Sequence, residues 1–165
     1  MSFRLPLTVP MIVAACLSSS LIYGATKYSG PRPPKADVLY LLHADNLLET
    51  EAAVAKEETR KDAGVATISG ASSPAKTPLA EPIFLVKTNQ LVPDKLAAYK
   101  FEVKNGNREV VVSHKKQKNA AKPIHLTVTK LDDNLYKVEV DEPLENGEYT
   151  ISPEGSNDTF NFQVY

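Results

Sequence analysis

The C-terminal part of the chain carries three runs in which apolar side chains occupy every second position: Ile124-Leu126-Val128, Tyr136-Val138-Val140 and Phe160-Phe162-Val164. His125, Thr127, Lys137, Glu139, Asn161 and Gln163 fall between them. Successive side chains of a strand point to opposite faces, so a period of two predicts half-buried strands. Upstream, Tyr99-Lys100-Phe101-Glu102-Val103-Lys104 alternates in the same way before Asn105-Gly106, a pair suited to the two positive-φ positions of a tight hairpin turn. With that turn, Lys104 faces Asn107, Phe101 faces Val110 and Tyr99 faces Val112, so apolar positions meet apolar positions. At the next hairpin a three-residue loop, Asp132-Asp133-Asn134, pairs Val128 with Val138 and Leu126 with Val140, with Asn134 left-handed. The continuous apolar runs Val38-Leu39-Tyr40-Leu41-Leu42 and Ile83-Phe84-Leu85-Val86 read as strands buried on both faces.

Other stretches are less regular. From Asp45 to Lys61 the chain is rich in Ala, Glu, Lys and Arg, which favours a helix on propensity alone. The rival is a long hairpin returning through Val65-Ala66-Thr67-Ile68-Ser69 after a turn at 61–64. Residues 71–79 form a Ser/Pro/Thr loop. Residues 28–37, with Pro31, Pro33 and Pro34, cannot sustain a helix or a central strand and read as a semi-extended linker. The chain therefore divides into a leader (1–27), this linker (28–37), an N-terminal extension (38–79) and a strand-rich domain (80–165).

The segment Leu144-Glu145-Asn146-Gly147-Glu148-Tyr149 has an L-x-x-G-x-Y spacing that resembles the tyrosine corner of immunoglobulin-like and fibronectin-like β-sandwiches. The resemblance covers residues 80–165. It implies a mainly β fold, an immunoglobulin-like antiparallel β-sandwich, preceded by a leader helix and a strand-plus-helix or hairpin region. Leu144, Gly147 and Tyr149 become its structural corner, with the Tyr149 hydroxyl bonding back to the backbone. The inter-sheet cysteines and tryptophan of antibody domains are missing, so the likeness is to the wider architecture. The whole chain also looks like small exported bacterial proteins of unassigned function.

Composition narrows the function classes. The 165 residues carry 19 Lys and Arg against 20 Asp and Glu, a formal net charge of −1, so no overall field draws in nucleic acid. The basic stretch from His114 to Lys122 reads as a solvated crossover loop, with no aromatic side chain for base stacking. Cys16 is the one cysteine, so no intramolecular disulfide or thiolate metal site forms. Arg4 precedes an uncharged stretch from Leu5 to Thr26, which reads as an export signal or anchor. Signal cleavage after Ser18-Ser19-Ser20 ranks first. Lipidation at Cys16 in Val13-Ala14-Ala15-Cys16, which resembles a lipobox, and retention as a membrane anchor follow. The protein is then periplasmic, membrane-tethered or secreted, touching the membrane through its leader or a lipid alone.

Catalytic motifs do not emerge. There is no H-E-x-x-H, C-x-x-C, G-x-S-x-G, P-loop or G-x-G-x-x-G. His43 and Asp45, projecting from one face of a strand, are the candidate metal or small-ligand pair, set against the plainer reading of a strand-end His beside an Asx turn. The expected protein is a non-enzymatic, cofactor-free structural or interaction module of the cell envelope whose partner is another protein or envelope component. The alternative is a ligand- or divalent-metal-binding module using His43 and Asp45.

Overall fold

A computed structural model describes residues 28–60, 63–112 and 121–165. The leader with Cys16 lies outside the described residues, as does the basic stretch 113–120. The described chain runs through β1 (Leu39–His43), β2 (Asn46–Glu49), β3 (Glu51–Val54), β4 (Lys56–Arg60), β5 (Ala63–Ser69), β6 (Lys76–Thr77) and β7 (Ile83–Lys87). After a single 3-10 turn at Pro93–Lys95 come β8 (Leu96–Lys100), β9 (Glu102–Lys104), β10 (Asn107–Val112), β11 (Leu126–Asp132), β12 (Leu135–Val140), β13 (Gly147–Pro153) and β14 (Asp158–Val164).

These strands build three sheets. The first has the order β11-β12-β7-β1-β2, and the second β3-β14-β13-β8, with β6 added parallel to the end of β14. Every other neighbouring pair in both sheets is antiparallel. Their facing sides share one core: Leu39, Leu41, Phe84, Val86, Val138 and Val140 from the first sheet meet Ala98, Tyr149, Ile151, Phe160, Phe162 and Val164 from the second. Phe162 sets its edge against Phe84 with centroids 5.0 Å apart and stacks on Tyr149 at 5.6 Å. Burial of each such side chain contributes about 1.5–3 kcal/mol, so these two sheets are the body of the fold.

The third sheet, β4-β5-β10-β9, grows from both edges of the second. On one side the chain leaves β3 for β4 at Ala55, whose N–H donates to the Asn157 carbonyl at 2.8 Å. On the other it leaves β8 for β9 at Phe101, whose N–H donates to the Glu148 carbonyl at 2.8 Å. Ala55, Ile68, Phe101 and Val110, with Ala53, Ala66, Tyr99 and Ala121 beside them, form a smaller core between the second and third sheets.

Of the two readings of residues 45–61, the hairpin is the one found: residues 46–60 are extended, and β4 pairs antiparallel with β5. β2, β3 and β4 are one continuous run that pairs in turn with β1, β14 and β5, and these tertiary ladders outweigh helix propensity. Residues 38–79 supply β1, β3, β5 and β6, which pair with β7, β14 and β10, and β1 lies between β7 and β2 with Leu39, Tyr40 and Leu41 buried. At the β9–β10 hairpin Lys104 pairs with Asn107 across Asn105 (φ 50°) and Gly106 (φ 77°), but Tyr99 pairs with Thr150 and not Val112, because the chain has already crossed to the second sheet.

At the β11–β12 hairpin Val128 meets Val138 and Leu126 meets Val140. The extra residue there is a bulge between Lys130 and Asp132, and Asn134 does not take a positive φ. The Pro-rich residues 28–37 lie against the outer face of the first sheet. Pro33 is buried, Lys35 pairs with Glu49 at 2.7 Å, Asp37 donates its N–H to the Lys87 carbonyl, and Tyr40, Leu85 and Leu135 on that face are buried.

Candidate functional site

On either side of the turn that joins β13 to β14 the described surface opens into a cavity. One, of about 560 Å³, sits at the end of the sandwich among Val38, Ala52, Val54, Leu91, Val92 and Phe160. Its Asp37 carboxylate already accepts from the N–H groups of Asn89, Gln90 and Leu91 at 2.8–3.2 Å. These donors outweigh the cost of burial and hold the Asp37 carboxyl below its ordinary pKa.

The other cavity, of about 550 Å³, is a groove between the second and third sheets. The floor is apolar: Ala55 from the link between β3 and β4, Ala66 and Val110 from the third sheet, Ala97 from β8, and the rings of Tyr99 and Phe101. Strand alternation builds the opposite wall. Because Tyr149 and Ile151 point into the main core, Thr150 and Ser152 point out into the groove. Thr150 is 2 % exposed, yet its Oγ1 has no hydrogen-bond partner among the described residues. A buried hydroxyl left so costs about 1–3 kcal/mol. Glu57 of β4 and Glu154 of the β13–β14 turn also line it, and neither has an ion pair among the described residues. Glu49, Glu51, Glu58, Glu109 and Glu145, by contrast, each have a cation within 3.1 Å. Burial, and then the Glu154 charge, push the Tyr99 hydroxyl above its usual pKa, so it stays a neutral donor.

The far end of the same interface is closed by an ion cluster. Arg108 of β10 is fully buried. Its Nη1 and Nη2 donate to the two Glu51 carboxylate oxygens at 2.6 and 2.9 Å, its Nε donates to the Gly70 carbonyl at 3.0 Å, and Nη2 also reaches the Ser69 carbonyl at 3.2 Å. The guanidinium lies 5.9 Å from the centre of the Phe101 ring and 3.9 Å from the buried Glu148 carboxylate, which accepts the Ser73 N–H. One planar fork thus ties β10 to β3 and to the 69–70 turn.

The residues singled out from sequence are placed as follows. His43 ends β1, and its Nε2 lies 2.9 Å from Thr77 Oγ1. Asp45 is exposed in the β1–β2 turn, where Ala44 takes a φ of 52°. Among the described residues no group of three His, Cys, Asp or Glu side chains converges as metal ligands. Tyr149 donates its hydroxyl to the Glu145 carbonyl at 2.7 Å, Leu144 is buried in the main core, and a Cβ on Gly147 would come within 3.0 Å of the Lys100 side chain. His125 pairs with Asp141 on the open surface, where Thr127 Oγ1 also donates to Asp141 at 2.9 Å. Sequence reading missed the groove and Arg108. The available signal was Arg108 itself, a charge on the inward-facing phase of a strand otherwise filled by Val110.

No family model, curated protein or solved structure matches this chain. Among the described residues, no helix is long and apolar enough to cross a membrane.

Proposed function

We propose that the protein is an exported, non-catalytic interaction module of the cell envelope, and that the groove between its second and third sheets is where it holds a partner. The sandwich is read as immunoglobulin-like, a reading supported by the L-x-x-G-x-Y segment and the bond from Tyr149 to the Glu145 carbonyl. The single observation that carries the functional reading is the Thr150 hydroxyl, buried without a partner in the wall of a groove that has an apolar floor and carries the unpaired carboxylates of Glu57 and Glu154. Such a mixture, mostly apolar with a few convergent polar groups, is what a binding cleft uses to fix orientation. Export is supported by the uncharged stretch from Leu5 to Thr26.

The test places a photo-activatable residue at Glu154, on the rim of the groove, and separately at Lys130, exposed on the far sheet. Cross-linking in the source cells is expected at 154 and not at 130, in chains that have lost the leader or gained acyl mass at Cys16. Equal or absent cross-linking at the two positions overturns the recognition site. A full-length, unmodified chain confined to the cytosol overturns export.

A further inference from the structure

We infer that the group the groove accepts is a protonated amine on a hydrocarbon stem, in the form of a lysine side chain offered by the partner protein; this rests on the reading of the groove as a recognition site. Three features of the lining converge on that chemistry. The first is charge. Glu57 and Glu154 stand on opposite walls, the one on β4 and the other on the β13–β14 turn, and the described lining contains no Lys or Arg. An anionic partner meets two like charges there, whereas a cation meets carboxylates with no other ion pair among the described residues.

The second is the floor. Ala55, Ala66, Ala97 and Val110 leave a shallow apolar track. A lysine carries four methylenes behind its ammonium and lays such a stem on apolar surface while the head reaches polar groups. Tyr99 and Phe101 add ring faces that attract a cation. Phe101 already has the Arg108 guanidinium 5.9 Å from its centroid, which leaves Tyr99 as the free ring. The third is Thr150. Its unpartnered Oγ1, at the buried base of the wall, can accept as well as donate, and an ammonium brings it a donor. A carboxylate or a phosphate could accept from the same hydroxyl, but it brings a like charge to Glu57 and Glu154.

The test is a titration of the full chain, followed by two-dimensional amide NMR, with short capped peptides that differ at one central side chain: lysine, norleucine or Nε-acetyllysine. Hexylamine serves as the free-amine arm. The lysine peptide is expected to shift the amides of Tyr99, Thr150 and Ser152 and to bind at least about tenfold more tightly than the norleucine peptide. Glu57→Gln with Glu154→Gln is expected to abolish that preference. Thr150→Val, which keeps the side-chain shape and removes the acceptor, is expected to weaken the lysine peptide several-fold. Glu81→Gln, outside the groove, is the control and leaves binding unchanged. Norleucine or Nε-acetyllysine peptides binding as well as lysine overturn the amine while leaving the groove a recognition site. Hexylamine binding with no response to the lysine peptide overturns a partner's side chain in favour of a small free amine. No shift at the groove with any probe overturns the inference, and the cross-linking at 154 then decides separately whether the groove binds anything.

Discussion

Arg108 carries a fixed charge into a place that water does not reach, and every contact it makes compensates that removal. The two carboxylate oxygens of Glu51 take its fork, the Gly70 and Ser69 carbonyls take two more donors, and Glu148 lies 3.9 Å from Nη1. Breaking a buried pair leaves the surviving charge without a partner, so Arg108→Ala is expected to destabilise the fold by about 3–5 kcal/mol in urea unfolding. Arg60, whose pairs with Glu58 and Glu109 lie in solvent, is expected to leave the unfolding midpoint unchanged on the same substitution. The contrast was not legible in the chain. Arg108 and Glu51 are 57 positions apart, and no local pattern links two residues that meet only when two sheets stack. The Tyr149 hydroxyl, by contrast, finds its acceptor four residues upstream, a distance short enough for a spacing motif to record.

Among the elements, hairpins were the most readable because register and turn chemistry are local. Asn105-Gly106 set the pairing of Lys104 with Asn107, and alternation set Val128 against Val138. Gly106 has a φ of 77° and nothing within 4 Å of where a Cβ would stand. Gly106→Ala therefore reports backbone strain without a clash, and is expected to cost about 1 kcal/mol by thermal or urea unfolding. β4 was the least readable. Its five residues, Lys56 to Arg60, are all exposed, so no apolar period marks it as a strand, and its charges argue for helix. Its ladder to β5 decides the matter, and the same charges guard an open sheet edge against pairing with another chain.

For the whole molecule, the Pro-rich segment is tied to the first sheet by a chain of polar contacts from Lys35 through Glu49 to Tyr40. Tyr40 is buried on the outer face of that sheet and donates to Glu49 at 3.0 Å. Burial first, and then this bond, raise its pKa from 10.0 to about 12. The folded chain keeps the phenol proton where the unfolded chain has lost it. The resulting stability is whole below pH 10.0 and drains as the pH climbs to about 12. Tyr40→Phe is expected to flatten that part of the alkaline loss, read as unfolding free energy against pH.

The run from β2 through β4 hydrogen-bonds in all three sheets, and its middle section pairs with nearly the last strand made. Thr159 reaches back across 106 residues to the Ala53 carbonyl, and Asn161 across 110 to that of Glu51. Translation at typical rates needs about 5–20 seconds to cover such a span. For that time the nascent chain holds β3 with no β14 to receive it, so the body of the fold closes only after β14 has left the ribosome. A chain stalled before Asp158 would leave β3 and β13 with unpaired edges in the second sheet, a template for proteases and chaperones.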